Sequence, residues 1–177
     1  MWGKVVFWAL VGVVAVPALD VGLYDLLVFA PRKRAIRSVI ESADAGDRAL
    51  PARVVQLIRA TKLSQSGYVA ARMVWHVFPE IARAKHPLME PLWALLLKLH
   101  FSDSERLVLY AALSMNGEDR GLDRLARRKF GKALDALDDR EAAQVVTYVQ
   151  MPGVYERRPE LLQQRADWLL ARVSATA

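Results

Sequence analysis

Two helical patterns joined by a glycine constrain the fold of this chain more than any other stretch. Leucine and alanine recur at helical spacing before Gly131, which can end a helix in the left-handed conformation. Asp138 and Glu141 then have the spacing of a capping box, which starts a second helix. Four apolar residues fall on one face of that helix, namely Ala142, Val145, Val146 and Val149. The pattern predicts a helical hairpin packed into a core and ended at Pro152-Gly153.

The spacing of residues in this hairpin is also similar to that of a known family. The family pattern reads YG…AA…YFGK…L…EAA…P.P..Y. The matching positions in this chain are Gly121, Phe130-Gly131-Lys132, Leu137, Glu141-Ala142-Ala143, Pro152 and Tyr155. The preceding stretch, from Glu105 to Tyr110, resembles the family's K..IL..YLN helix. Together these residues resemble the C-terminal half of the family 51 glycosyltransferase domain, the domain of peptidoglycan transglycosylases.

The resemblance implies an all-α, lysozyme-like domain over residues 31–177, behind one N-terminal transmembrane helix in residues 1–30. The resemblance also extends into a last helix, which is predicted to begin at Pro159. One side of this helix is predicted to be buried through Leu162, Ala166 and Leu169. Active members of the family polymerise lipid-linked disaccharide units, release an undecaprenyl diphosphate and usually need a divalent cation. The similarity is strongest over Glu105 to Tyr155 and weaker before residue 105.

The N-terminal segment supports two alternatives. The run from Val5 to Leu19 is apolar but is only 15 residues long, whereas a membrane span needs roughly 20. An extension to Ala30 supplies the length and includes Asp20 and Asp25. A signal peptide cleaved after Val16-Pro17-Ala18 is the second alternative. We favour an uncleaved single-pass anchor in the inner membrane, because the apolar character resumes after Asp20.

The orientation of the domain is predicted differently by two arguments. Basic residues follow the apolar segment at Arg32-Lys33-Arg34 and Arg37, which favours a cytoplasmic domain by the positive-inside rule. The family resemblance implies a domain that faces the periplasm or the cell exterior, and we give it the greater weight. The formal net charge of the chain is +6. Such a charge suits an anionic partner, and we expect the membrane and a lipid-linked precursor rather than nucleic acid.

The first catalytic motif of the family is only partly present. The family places an EDxxF-like segment here, whose Glu acts as the general base on the acceptor hydroxyl. Gly46-Asp47-Arg48 is the nearest match, and it puts glycine at the base position. Asp47 is therefore a candidate catalytic residue, as a carboxylate one position away, with Asp44 close by. The alternative is that Asp44 and Asp47 are solvated or capping residues before a helix that starts near Pro51 and buries Val54, Leu57, Ile58 and Thr61.

The substrate-binding motif of the family also departs from its pattern. The stretch 66–78 lies where the family has GGSTITQQLAKNLF, and its polar residues are replaced by Ala, Met and Trp. Arg72 and His76 remain on one helix face at i and i+4 and are candidate ligands for an anionic substrate. The alternative is ordinary packing of both side chains on an amphipathic helix.

Glu90 is the candidate for the second acidic residue, which the family carries in an RKxxE motif. One inserted residue in Phe101–Ser104 brings Glu90 into register with that motif, and Lys85 is a candidate substrate-binding residue just before it. The alternative for Glu90 is a first-turn carboxylate favoured by the helix dipole. The helix that follows carries a wide apolar stripe and is predicted to lie in the core: Leu88, Leu92, Leu95, Leu96 and Leu99.

Several classes of site are excluded by composition or motif. The chain has no cysteine, which excludes disulfides, thiolate metal sites and a thiol nucleophile. It has no P-loop, no GxGxxG after a strand, no HExxH and no GxSxG. The three histidines, His76, His86 and His100, are too scattered to predict a metal site.

Three functional hypotheses follow. The first is a degenerate, non-catalytic transglycosylase-like pseudoenzyme that binds lipid-linked peptidoglycan precursor or an envelope protein. The second is an active transglycosylase in which Asp44 or Asp47 replaces the missing glutamate and Glu90 is the second acid. The third is a membrane-anchored helical interaction module without a glycan role, which a large exposed apolar surface would favour. We favour the first, because the loss of a general base typically costs about 10²–10⁴ in rate.

Overall fold

The computed structural model of this chain describes residues 19–61, 65–83, 87–115 and 119–175. Throughout these ranges the regular elements are helices, and the β-type pairing is a single bridge between Met115 and Arg120. The prediction of an all-α protein is therefore confirmed. The chain divides into two compact units, Met1–Arg37 and Ser38–Ala177.

The described part of the first unit is helical and exposes apolar side chains. Residues 19–24 form helical turns, followed by a π-helical turn at Asp25–Phe29 and a 3₁₀ turn at Ala30–Arg32. The exposed leucines are Leu19, Leu23, Leu26 and Leu27. Among the described helices, none combines the length and the apolar character that a membrane crossing requires. Most of the predicted anchor, residues 1–18, lies outside the described residues.

Helix α1, Lys33–Glu41, leads into the second unit. The first group of α-helices after it comprises α2 (Ala45–Arg48), α3 (Ala52–Ala60), α4 (Gln65–Arg72) and α5 (Pro79–Ala82). The second group comprises α6 (Met89–His100), α7 (Asp103–Ala112), α8 (Leu122–Phe130), α9 (Asp139–Tyr148), α10 (Pro152–Arg157) and α11 (Pro159–Ser174). A π-helical turn, Met73–Val77, extends α4, and a 3₁₀ turn, Leu134–Ala136, separates α8 from α9.

Helix α9 lies at the centre of the second unit, where it packs on α3, α8 and α11. Its predicted face is fully buried: Ala142, Val145, Val146 and Val149. The predicted capping box is present, since Asp138 accepts a hydrogen bond from the backbone N–H of Glu141 and the Glu141 carboxylate accepts one from the N–H of Asp138. Gly131 ends α8 at φ +67° in the left-handed conformation, as its position predicted.

The other local predictions differ in outcome. Helix α3 begins directly after Pro51 and buries its predicted face, and α11 begins at Pro159. Helix α9, however, ends at Tyr148, and Pro152 opens the next helix instead of merely ending the previous one. A proline at the first helical position is favourable because its missing N–H would have had no intrahelical partner there.

Helix α6 differs most from expectation, because its leucine stripe is only partly buried. The helix packs on α4 and α7 through Trp93, Leu96 and Leu97, and the Trp93 ring lies 5.5 Å from that of Phe78. The opposite face is exposed: Leu88 is 61%, Leu95 45% and Leu99 65% accessible. The helix does pack into the core, but the predicted stripe is wrong except at Leu96, because Trp93 and Leu97 are buried with Leu96 while Leu88, Leu95 and Leu99 are exposed.

Candidate active site

Asp47 caps the N-terminus of a helix far away in the sequence. It lies on α2, and its Oδ1 accepts the backbone N–H of Asp123, the second residue of α8, at 2.9 Å. The side chain is 1% exposed. The first N–H groups of a helix have no intrahelical partner, and a carboxylate satisfies them while also interacting favourably with the helix dipole. Asp47 is therefore neither solvated nor a cap of its own helix.

Gly121 makes this contact possible. Its φ is +110°, a conformation that side chains disfavour, and a Cβ there would lie 2.7 Å from Asp47 Oδ2. Its side-chain-free backbone allows the Asp47 carboxylate to lie directly against the turn that begins α8.

Gly46 is the position at which the family resemblance expects a glutamate. A Cβ on Gly46 would lie 2.6 Å from both the Cγ and the Oδ1 of Asp123. Asp123 is 5% exposed and is held on two sides, since its Oδ1 accepts the N–H of Leu134 at 2.9 Å and its Oδ2 accepts Arg127 Nε at 2.7 Å. The space for a side chain at position 46 is thus occupied by a fixed carboxylate.

Burial raises the pKa of Asp47 to about 6, and the carboxylates of Asp44 and Asp123 add to the effect. The hydrogen bonds from the backbone N–H groups of Asp123 and Leu122 oppose this rise. A carboxyl group with such a pKa exchanges protons near neutral pH, as a general base does. Its oxygens, however, face the α8 terminus and the Gly121 backbone.

A cavity of about 200 Å³ lies beside this cap. Its charged lining consists of the carboxylates of Asp44 and Asp47 and the guanidinium groups of Arg120 and Arg124. Arg124 bridges two carboxylates, with Nε 2.7 Å from Asp44 Oδ2 and an Nη 2.9 Å from Asp119 Oδ1. These two carboxylates raise the pKa of Arg124 and balance its positive charge. The backbone N–H of Arg120 donates to Asp119 Oδ1 at 2.8 Å, whereas its guanidinium forms no ion pair within the described residues.

We define a basic cluster as Arg72, His76 and Arg120, because the charge of Arg120 is near enough to lower the pKa of His76. Arg72 lies 3.2 Å from His76 Nε2 through one of its Nη atoms, and its guanidinium stacks 5.0 Å from the centre of the Tyr68 ring. Partial burial and then the charges of Arg72 and Arg120 lower the pKa of His76. The lowered pKa favours the neutral imidazole, whose Nε2 accepts the hydrogen bond that Arg72 donates. Neither Arg72 nor Arg120 forms an ion pair within the described residues.

Glu90 lies on the first turn of α6, where its Oε1 accepts the indole N–H of Trp75 at 2.7 Å. Both side chains line an apolar cavity of about 370 Å³, together with Val74, Ile81, Ala82, Pro87 and Met89. Trp75 directly precedes His76, so the π-helical turn Met73–Val77 supplies one side chain to the apolar cavity and the next to the basic cluster defined above.

The structure thus places the two candidate acids, Asp47 and Glu90, in different cavities and brings Arg72 and His76 into contact. Asp47 and Glu90 line different cavities with no lining residue in common. Arg72 and His76 meet as their spacing predicted. Arg120 is near enough for its charge to lower the pKa of His76, which sequence analysis missed because Arg120 lies 44 positions after His76. Lys85 lies outside the described residues. Within the described ranges, no group of three or more His, Asp or Glu side chains is placed to hold a metal ion.

The fold and site define an all-α protein in which buried Asp47, on α2, caps the N-terminus of α8. The basic cluster of Arg72, His76 and Arg120 is its second candidate functional feature. Comparison of the chain with known protein-family models, curated protein sequences and solved structures gives no match.

Proposed function

We propose that this chain is a membrane-anchored, catalytically impaired relative of the peptidoglycan transglycosylases that binds the lipid-linked peptidoglycan precursor. In this proposal residues 1–30 anchor the chain in the inner membrane. The helical unit that follows has the lysozyme-like family 51 fold and faces the periplasm or the cell exterior.

The observation that carries the binding proposal is that one π-helical turn supplies Trp75 to the apolar cavity and His76 to the basic cluster. A lipid-linked precursor has a diphosphate attached to a long apolar chain. The guanidinium groups of Arg72 and Arg120 form no ion pair within the described residues and can both donate hydrogen bonds to a diphosphate. The cavity of about 370 Å³ is lined mainly by apolar side chains and suits a segment of the lipid.

Loss of catalysis is supported by the surroundings of Gly46 and Asp47. A glutamate at position 46 would overlap Asp123, and the neighbouring Asp47 already binds the N-terminus of α8. A general base must approach the hydroxyl that it deprotonates to within hydrogen-bond distance. A buried helix cap with 1% exposure does not offer that approach.

The two other hypotheses each have one supporting observation. An active transglycosylase is favoured by the pKa of about 6 at Asp47, which suits a base near neutral pH. An interaction module without a glycan role is favoured by the exposed leucines of α6. Two measurements distinguish the three hypotheses. An active enzyme polymerises the precursor, the proposed pseudoenzyme binds it without polymerising it, and an interaction module does neither.

Binding of fluorescent lipid-linked precursor by the detergent-solubilised full chain tests the proposal. We expect saturable binding that Arg72→Gln and Arg120→Gln each weaken by roughly tenfold, because each removes a charge-assisted hydrogen bond. Arg158→Gln is the matched control, since Arg158 is an exposed arginine at the start of α11 and should leave affinity unchanged. Circular dichroism checks that each variant is folded. Absence of wild-type binding, or equal loss in the control, contradicts the proposal.

A further inference from the structure

Helix α6 has an exposed apolar face that runs along its whole length. This leucine face consists of Leu88, Leu92, Leu95 and Leu99, spaced by four, three and four residues. Three of the four side chains are between 45% and 65% exposed, and Leu92 is half-buried. The face is about 16 Å long at 1.5 Å per residue. A contiguous apolar strip of this kind is uncommon on a protein surface without a binding partner.

We propose that the leucine face docks on a lipid bilayer, with α6 lying in the plane of the membrane interface. The inference needs the chain to be at a membrane, as the proposed function has it, but not that it binds a glycan precursor. Leucine side chains that meet water in the free protein would instead contact the acyl boundary.

The charges around the leucine face favour lipid. On a helical wheel Pro91 and Lys98 lie at one edge of the face, so the ionisable group beside the leucines there is a cation. A lysine at this place can extend its ammonium towards anionic headgroups while its stem remains apolar.

The dimensions of the face argue against a protein partner or a second copy of this chain. A spacing of four, three and four residues also occurs in coiled coils, but a stable coiled coil needs at least three to four heptads. The leucine face spans only 12 residues. Four partly exposed leucines supply far less than the ~800 Å² that each partner buries in a standard interface. A single helix lying on a bilayer has no such requirement, because the lipid covers the neighbouring surface as well.

Single-cysteine labelling of the full chain tests this inference, since the natural sequence has no cysteine. Leu95→Cys and Leu99→Cys report on the leucine face, and Gln164→Cys on the exposed side of α11 is the matched control. Each variant is labelled with an environment-sensitive fluorophore and reconstituted into vesicles of neutral and anionic phospholipid without glycan precursor. Quenching is measured with a spin-labelled lipid and with aqueous iodide.

We expect lipid quenching and iodide protection at positions 95 and 99, and the reverse at position 164. Labels at 95 and 99 that iodide reaches as readily as at 164 would overturn the inference. Protection from iodide without lipid quenching would also overturn it, because a protein surface would then cover the face. The vesicles hold no precursor, so failure of docking and failure of precursor binding are measured separately.

Discussion

The carboxylate of Asp123 lies so close to Gly46 that a Cβ at position 46 would be 2.6 Å from its Cγ. This relationship links two segments that are 77 positions apart in the sequence. It explains physically why the position that the family resemblance assigns to the general base carries no side chain. The carboxylate that fills the space is not a substitute base, because the Leu134 N–H and Arg127 hold both of its oxygens.

The contact between Gly46 and Asp123 predicts that even a methyl group at position 46 destabilises the protein. Gly46→Ala should lower the free energy of unfolding by about 1–3 kcal/mol, because the new methyl group displaces a fixed carboxylate. Gly153→Ala is the control, since nothing lies within 4 Å of a Cβ there and the residue is helical. The control should be neutral or slightly stabilising. Denaturant unfolding measures both, and equal effects would contradict the account of Gly46.

Substitution of the two glycines with positive φ is expected to destabilise the protein to different extents. Gly121→Ala should cost about 2–4 kcal/mol, because strain at φ +110° adds to a clash with Asp47 Oδ2. Gly131→Ala should cost only about 1–2 kcal/mol, because a Cβ there meets nothing within 4 Å and the cost is that of the left-handed conformation. Thermal unfolding ranks the two variants. If Gly131→Ala were the more damaging, the Asp47 contact would not be the reason that Gly121 is required.

Asp47 predicts a specific pH dependence of stability. The folded protein raises its pKa from 3.8 to about 6, so the folded state binds this proton more tightly than the unfolded state does. The resulting stabilisation is present below pH 4 and is lost as the pH rises through about 6. The difference between the two pKa values corresponds to about 3 kcal/mol.

Asp47→Asn keeps an acceptor oxygen for the Asp123 N–H but cannot ionise. Relative to the wild type, this variant should gain stability between pH 4 and pH 7, by an amount that approaches about 3 kcal/mol. The measurement is the difference between the unfolding free energies of the two proteins at each pH, which cancels the titration of all other groups. A difference that does not change with pH would show that Asp47 ionises normally.

His76 predicts a pH dependence of anion binding. Partial burial and two neighbouring arginines lower its pKa below the ordinary value of histidine, which favours the neutral imidazole and moves its protonation towards acid pH. We expect affinity for the diphosphate lipid to rise as the pH falls below 6.5, the ordinary pKa of histidine. His76→Asn should flatten this profile while Arg158→Gln preserves it. A wild-type profile that is flat from pH 7.5 to 5 would exclude His76 from the binding cluster.

The features that sequence analysis predicted correctly depend on neighbouring residues. The capping box at Asp138, the end of α8 at Gly131 and the start of α11 at Pro159 are each determined within a few positions. The meeting of Arg72 and His76 follows from helical spacing alone.

The features that it missed depend on distant contacts. Asp47 caps a helix whose second residue is 76 positions later, and no pattern in the neighbouring sequence predicts such a cap. The effect of Arg120 on His76 was missed for the same reason, because the two residues are far apart in the sequence. For α6, periodicity identifies an apolar face but gives no information about what covers it, so a helix with apolar residues on both sides was assigned wholly to the core.

Precursor polymerisation by the purified, detergent-solubilised chain, with a divalent cation present, distinguishes a binding protein from an active enzyme. We expect the wild type to bind lipid-linked precursor but to form no glycan chains, and Glu90→Gln to behave in the same way. Glycan chains that the wild type forms and that Glu90→Gln abolishes would contradict this expectation. Asp47 would then have to act as a base despite its hydrogen bond to α8, and the protein would be an active transglycosylase.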